Sequence, residues 1–148
     1  MNILPKEITL EGTFRTFDEL WRTKAKKHIR QISQAIAESM GAEAEVKIVE
    51  GYPVLYNDPE KTQTAIEVLK KNLGEENISL LPRRMTTEDF ARYSQVIPAT
   101  FLRLGVRGEN NCGKLHTSGF YADPSGVPIG IQTLCSLALT YPQFKDKQ

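Results

Sequence analysis

Hydrophobic and polar positions alternate along this chain in two rhythms. Ile8-Thr9-Leu10 opens an extended segment that runs through Gly12-Thr13-Phe14-Arg15-Thr16-Phe17, with Ile8, Leu10 and Phe14 available to a core. From about Asp18 the period lengthens. Leu20, Trp21, Ala25, Ile29, Ile32, Ile36 and Met40 form one stripe at helical spacing, which predicts a helix to Met40 closed by Gly41. Thr16 with Glu19 three residues on has the form of a capping box at its start. Ala44 to Val49 returns to strict alternation and reads as a strand with one buried face.

Gly51-Tyr52-Pro53 breaks this pattern, and the boundary between two lobes is drawn there, between Gly51 and Asn57. Val54-Leu55-Tyr56 is a short extended piece. Asn57-Asp58-Pro59 then announces a helix, with Asp58 as N-cap and Pro59 in the first turn. Ala65, Ile66, Leu69 and Leu73 line one side of it, and Gly74 ends it. Ile78 to Leu81 is a predicted strand. Thr86 or Thr87 is the expected cap of a short helix through Ser94, and Ala99 to Val106 reads as another strand. After Asp123-Pro124, a second N-cap with a first-turn proline, Val127 to Leu139 is apolar on most sides, so burial of this helix is expected.

Composition narrows the class. With 148 residues, 40% hydrophobic and 25% charged, the chain matches an ordinary globular protein of one domain or two small lobes. Nineteen basic against eighteen acidic residues leave a net charge of +1, which gives no sign of a nucleic-acid or membrane partner. Arg22, Lys24, Lys26, Lys27 and Arg30 gather on the first helix beside His28, but acids nearby, Glu38 among them, dilute the cluster and a solvated helix face is the reading. No signal-peptide pattern is visible at the N-terminus. Cys112 and Cys135 form no metal-type pair, and reduced thiols in a cytoplasmic protein are expected.

Candidate chemistry is sparse. His116, one of two histidines, lies between the turn-rich run Gly108 to Gly113 and the last helix. There it is either a plain surface histidine or a group placed to bind a metal or move a proton. Glu88 and Asp89 stand at a helix start, where the helix dipole alone accounts for them.

Four stretches occur in one order: Gly12 to Phe17; Gly51-Tyr52-Pro53 with Asn57-Asp58-Pro59; Met85 to Phe90; and Leu115-His116 with Phe120 and Asp123. In this order the chain resembles the C-terminal part of the metal-dependent aminoacylase and carboxypeptidase family. The nearest branch is the N-acyl-amino-acid amidohydrolases, hippurate hydrolases and auxin-conjugate hydrolases. The resemblance covers residues 7 to 141.

It implies an α+β (α/β) architecture. Residues 1–51 would be the strand-helix-strand half of a ferredoxin-like lid and dimerisation lobe. Residues 52–148 would be the C-terminal α/β part of a zinc-peptidase-type catalytic domain. It further implies His116 as one ligand of zinc or another divalent metal, and Glu88 and Asp89 as substrate-pocket residues. Arg15 becomes a candidate for a substrate carboxylate, which a guanidinium pairs with bidentately. The reaction would be metal-assisted hydrolysis of the amide bond in N-acyl-amino acids or small peptides.

Departures qualify the implication. The family's other ligands and its general-base glutamate lie in a segment this chain does not contain. Met85-Thr86-Thr87 stands where the family has Met-Gly-Ala, and Pro124-Ser125-Gly126 follows Asp123 where an acidic residue is usual. The expectation is therefore a fragment that is inactive alone and binds no metal tightly. Its partners would be a complementing N-terminal catalytic half or a second copy of itself. The alternative is a non-catalytic binding or assembly module on the same scaffold.

Overall fold

The computed structural model describes residues 5–108 and 113–140. Its elements in order are α1 (Glu19–Ser39), α2 (Pro59–Leu73), a 3-10 turn (Glu75–Asn77), α3 (Ala91–Ser94) and α4 (Gly126–Leu139). The chain forms two compact units. One is Met1–Val54 with Arg84–Thr87; the other is Leu55–Arg83 with Glu88–Gln148.

In the first unit α1 begins at Asp18, whose Oδ1 accepts the Trp21 N–H at 2.9 Å. The expected capping box is thus displaced. Thr16 Oγ1 takes the Asp18 N–H at 3.2 Å, and Glu19 is drawn away to accept the Val54 N–H at 2.6 Å and to pair with Arg22 at 2.7 Å. A carboxylate directly before the first turn caps the exposed N–H groups and also meets the positive end of the helix dipole. The far end follows expectation. Gly41, at φ +74, sends its N–H to Glu38 O at 3.0 Å, and the Ala42 N–H reaches Ala37 O at 2.9 Å. That pair of bonds is a Schellman motif, and its left-handed residue favours glycine.

The Gly-Tyr-Pro segment is held along α1. Arg22 donates to Tyr52 O at 2.7 Å, and Lys26 pairs with Glu50. The Lys26 ammonium, by hydrogen bond and then by charge, keeps the Glu50 carboxyl below its ordinary value.

The second unit is built on α2. Asp58 Oδ1 caps it through the Lys61 N–H at 2.9 Å, with Pro59 in the first turn and Gly74 at the end, as the spacing predicts. Ala65 and Leu69 are buried. Helix α4 packs on α2, and Gln132 Nε2 donates to the Asn72 carbonyl at 3.0 Å near the end of α2. Gly126, at the start of α4, lies against the Gly105 carbonyl and Val106.

Three expectations change. First, among the described residues no strand forms, although strands were predicted over residues 8–17, 44–49, 78–81 and 99–106. A helix satisfies its N–H and C=O groups internally, whereas a strand must borrow them from a neighbour. Here the extended segments are linked without a ladder, by bonds such as the Asp58 N–H to Ala99 O and the Asp123 N–H to Val106 O, each at 2.9 Å. The periodicity itself survives between residues 44 and 49, where Ala44, Val46 and Ile48 are half-buried and Glu45, Lys47 and Val49 are exposed. Ile8, Leu10 and Phe14, by contrast, are exposed, because an unpaired segment has no inner face.

Second, α3 is a single turn started by the Glu88 and Asp89 carbonyls, and its N-cap position is Phe90 rather than Thr86 or Thr87. Third, α4 is not buried. Val127, Ile131 and Leu134 are 60%, 58% and 70% exposed, since α2 and residues 104–106 cover only one side of the helix.

Candidate functional site

His116 is the only non-glycine residue with positive φ among the described residues, at +62°. It stands third in a turn, Lys114 to Thr117, closed by the Thr117 N–H to Lys114 O at 3.3 Å and by Thr117 Oγ1 to the same carbonyl at 2.7 Å. A positive φ at the third position of a turn is one that normally calls for glycine. Histidine enters the left-handed region more readily than most residues, at a cost of about 1–2 kcal/mol. The side chain is exposed.

The loop around the turn is pinched twice. The Asp123 N–H reaches Val106 O, and Gly113, at φ +32, lies so close to the Gly119 carbonyl that a Cβ would collide with it. The imidazole is therefore presented at the tip of a tied loop. Cys112 and the rest of 109–112 lie outside the described residues.

Asp123 anchors the base of this loop. Its Oδ1 accepts the Ser125 N–H at 2.8 Å, a local turn that precedes α4 by one step rather than capping its first residue. The Ser125 hydroxyl and then the Ser125 N–H hold its carboxyl below the ordinary value.

Glu88 is half-buried and Asp89 is exposed. Their carbonyls accept the Ala91 and Arg92 N–H groups at 3.3 and 3.0 Å, which leaves both carboxylates outside the backbone network of the turn. What holds this turn is a feature that the sequence reading passed over. Phe90 packs on Phe101, ring centroids 5.4 Å apart, and Phe101 is gripped by Asn57. Asn57 Oδ1 accepts the Phe101 N–H at 2.8 Å, and Nδ2 donates to Phe101 O at 3.1 Å. An asparagine amide carries the same donor and acceptor as a peptide, so one side chain stands in for a strand partner. The Tyr56 N–H adds a bond to Ser94 Oγ at 3.2 Å. The signal was the asparagine placed before an Asp-Pro helix start.

Arg15 is exposed and belongs to the first unit; Glu88, Asp89 and His116 belong to the second. Among the described residues no group of three or more His, Cys, Asp and Glu side chains is placed to hold a metal ion. A catalytic zinc site needs three protein ligands and an open position, so the donors among the described residues do not make a complete one. No described helix is long and apolar enough to cross a membrane.

Comparison with known proteins gives these positions a context. The profile of peptidase family M20/M25/M40 matches residues 5–140. Thermostable carboxypeptidase 1 of Saccharolobus solfataricus is 33% identical over 147 residues, covering 95% of this chain and 36% of that protein. N-acetylcysteine deacetylase of Bacillus subtilis is 30% identical over 138 residues, covering 93% of this chain and 35% of its own. N-acetyldiaminopimelate deacetylase of Enterococcus faecalis is 30% identical over 134 residues, covering 90% and 34%. The chain thus spans about a third of the length of the curated relatives it matches. With a family match across nearly all of its described residues, the chain belongs to peptidase family M20/M25/M40, whose members are hydrolases and generally metal-dependent.

Proposed function

We propose that this chain supplies the C-terminal, His116-bearing part of an amidohydrolase that cleaves the amide bond of N-acyl-amino acids or small peptides. Alone, it is inactive. In this reading residues 1–51 are part of a lid lobe and residues 52–148 part of an α/β catalytic lobe. Arg15, Glu88 and Asp89 serve the substrate, and His116 contributes one ligand to zinc or another divalent ion. The working protein is cytoplasmic and assembles with a complementing N-terminal half, with a homodimer as the other possible assembly.

The observation that supports the reading is the family match across residues 5–140, beside which His116 stands exposed at φ +62° on a loop tied at its stems. A single imidazole does not hold a catalytic metal against water, so hydrolysis by the isolated chain is not expected.

The test is an assay for amino acid released from N-acyl-amino acids with zinc added. The purified chain should give no activity above buffer. Addition of a polypeptide carrying the remaining two thirds of a relative should restore it, and His116→Ala should abolish the restored activity. Zinc-stimulated hydrolysis by the chain alone would refute the reading. A complex that forms without hydrolysis would favour the assembly-module alternative.

A further inference from the structure

Adjacent basic residues occur at three places in the chain: Lys26-Lys27, Lys70-Lys71 and Arg83-Arg84. The first pair lies inside α1 and the second inside α2, so the peptide bonds on either side are tied into helices. One lysine of each is further engaged, Lys26 by Glu50 and Lys70 by Glu75. Arg83-Arg84 is placed differently. Residues 78–88 form neither helix nor turn, and 79–87 are exposed without interruption. None of the described backbone bonds of turns and loops falls on residues 79–85, and the described ion pairs include neither arginine. Pro82 adds a local constraint, since it favours an extended Leu81 and offers no N–H of its own.

An extended peptide is held by a partner through main-chain hydrogen bonds and pockets for its side chains. An endopeptidase demands that geometry of its substrate. A helix has to open first, whereas an exposed, unpaired segment is already open.

We infer that Arg83-Arg84 is a nicking site for an endopeptidase that reads paired basic residues through carboxylates in two adjacent pockets. Water adds across the Arg84–Met85 amide and the C–N bond breaks, leaving a carboxylate on Arg84 and an amino group on Met85. The nick involves none of the groups assigned to the proposed hydrolase site. Its product is a two-chain form that stays assembled, because residues 1–84 keep α2 while residues 85–148 keep α3 and α4. Within the second unit, α4 packs on α2 across the cut, and Asn57 holds both backbone groups of Phe101. The Asp58 N–H meets Ala99 O, the Thr62 and Thr100 hydroxyls lie 3.2 Å apart, and Gln132 reaches the Asn72 carbonyl.

The test digests the full chain with an endopeptidase specific for paired basic residues and follows the products by mass spectrometry. Synthetic peptides spanning each pair report how well the enzyme reads that pair when no fold protects it. The folded chain should be cut at Arg83-Arg84 within about tenfold of its peptide's rate, and at either lysine pair about a hundredfold or more below its own peptide's. Arg84→Gln should slow the cut by about a hundredfold or more and Arg83→Gln by about tenfold or more, with circular dichroism unchanged, since both side chains are exposed. The nicked sample should elute from size exclusion as one species containing both fragments.

A folded chain cut at Arg83-Arg84 more than about tenfold below its peptide, or cut as readily at a lysine pair, would overturn the site. Cutting that persists unchanged in Arg84→Gln would overturn recognition of the pair. Fragments that part on size exclusion would overturn the two-chain form.

Discussion

Replacing Asn57 by alanine tests how the acidic turn is held. The substitution deletes two half-buried hydrogen bonds, one to each backbone group of Phe101. Each such bond is worth about 0.5–1.5 kcal/mol net, and water reaches a half-buried backbone in part, so the loss should total about 1–3 kcal/mol. Because 1.4 kcal/mol is tenfold in an equilibrium, amide exchange at Phe101 should accelerate by roughly ten- to a hundredfold. Hydrogen exchange read by NMR isolates this local opening from global unfolding.

Asn57→Asp sharpens the test. It keeps an acceptor for the Phe101 N–H but turns a second oxygen toward the Phe101 carbonyl, so near neutral pH it should be at least as damaging as alanine. A protonated carboxyl can again donate to that carbonyl. The Asp variant should therefore regain protection as pH falls toward the carboxyl's own titration, where the Ala variant does not. Unchanged Phe101 exchange in Asn57→Ala, or an Asp variant that behaves as wild type at pH 7, would refute the clamp.

Other consequences follow from single contacts. Since His116 holds φ at +62°, His116→Gly should be no less stable than wild type, while His116→Val should lose about 1–2 kcal/mol or more in urea unfolding. Asp18→Ala should cost about 1 kcal/mol and fray the start of α1 by circular dichroism, whereas Thr16→Ala should cost less; the reverse order would restore the capping-box reading. Asp123 titrates below its ordinary value of 3.8 in the folded chain, so its stabilising contribution is complete above that value and fades as pH drops through the lowered one. Asp123→Asn should remove that component from the acid limb of a urea-midpoint profile, and an unchanged profile would exclude it.

Helices were legible in the sequence because their determinants are local. The Asp58-Pro59 start, Gly74, and Gly41 with its left-handed φ each act within one turn of the residue that reveals them. The competition between Thr16, Asp18 and Glu19 was harder to read, since its outcome depends on the Val54 N–H, which draws Glu19 away from a position 35 residues earlier. Strands were read from alternation, which reports a preferred face and not the neighbour needed to pair with it. The pattern in residues 44–49 therefore persists as alternating exposure without a ladder. For the site, ordered motifs led to His116, Glu88, Asp89 and Arg15. The strain at His116 and the grip of Asn57 on Phe101 depend on backbone geometry that no spacing encodes.

The tie between Val106 and Asp123 has an evolutionary consequence. It brings the two stems of the His116 loop within a single hydrogen bond of each other, at 2.9 Å, before α4 begins. A change inside the loop therefore has to reach the helical scaffold through these two stems, and connecting segments tolerate such change better than the elements they join. Selection can retune the residues flanking the imidazole, and so what approaches it, without renegotiating how α2 and α4 pack.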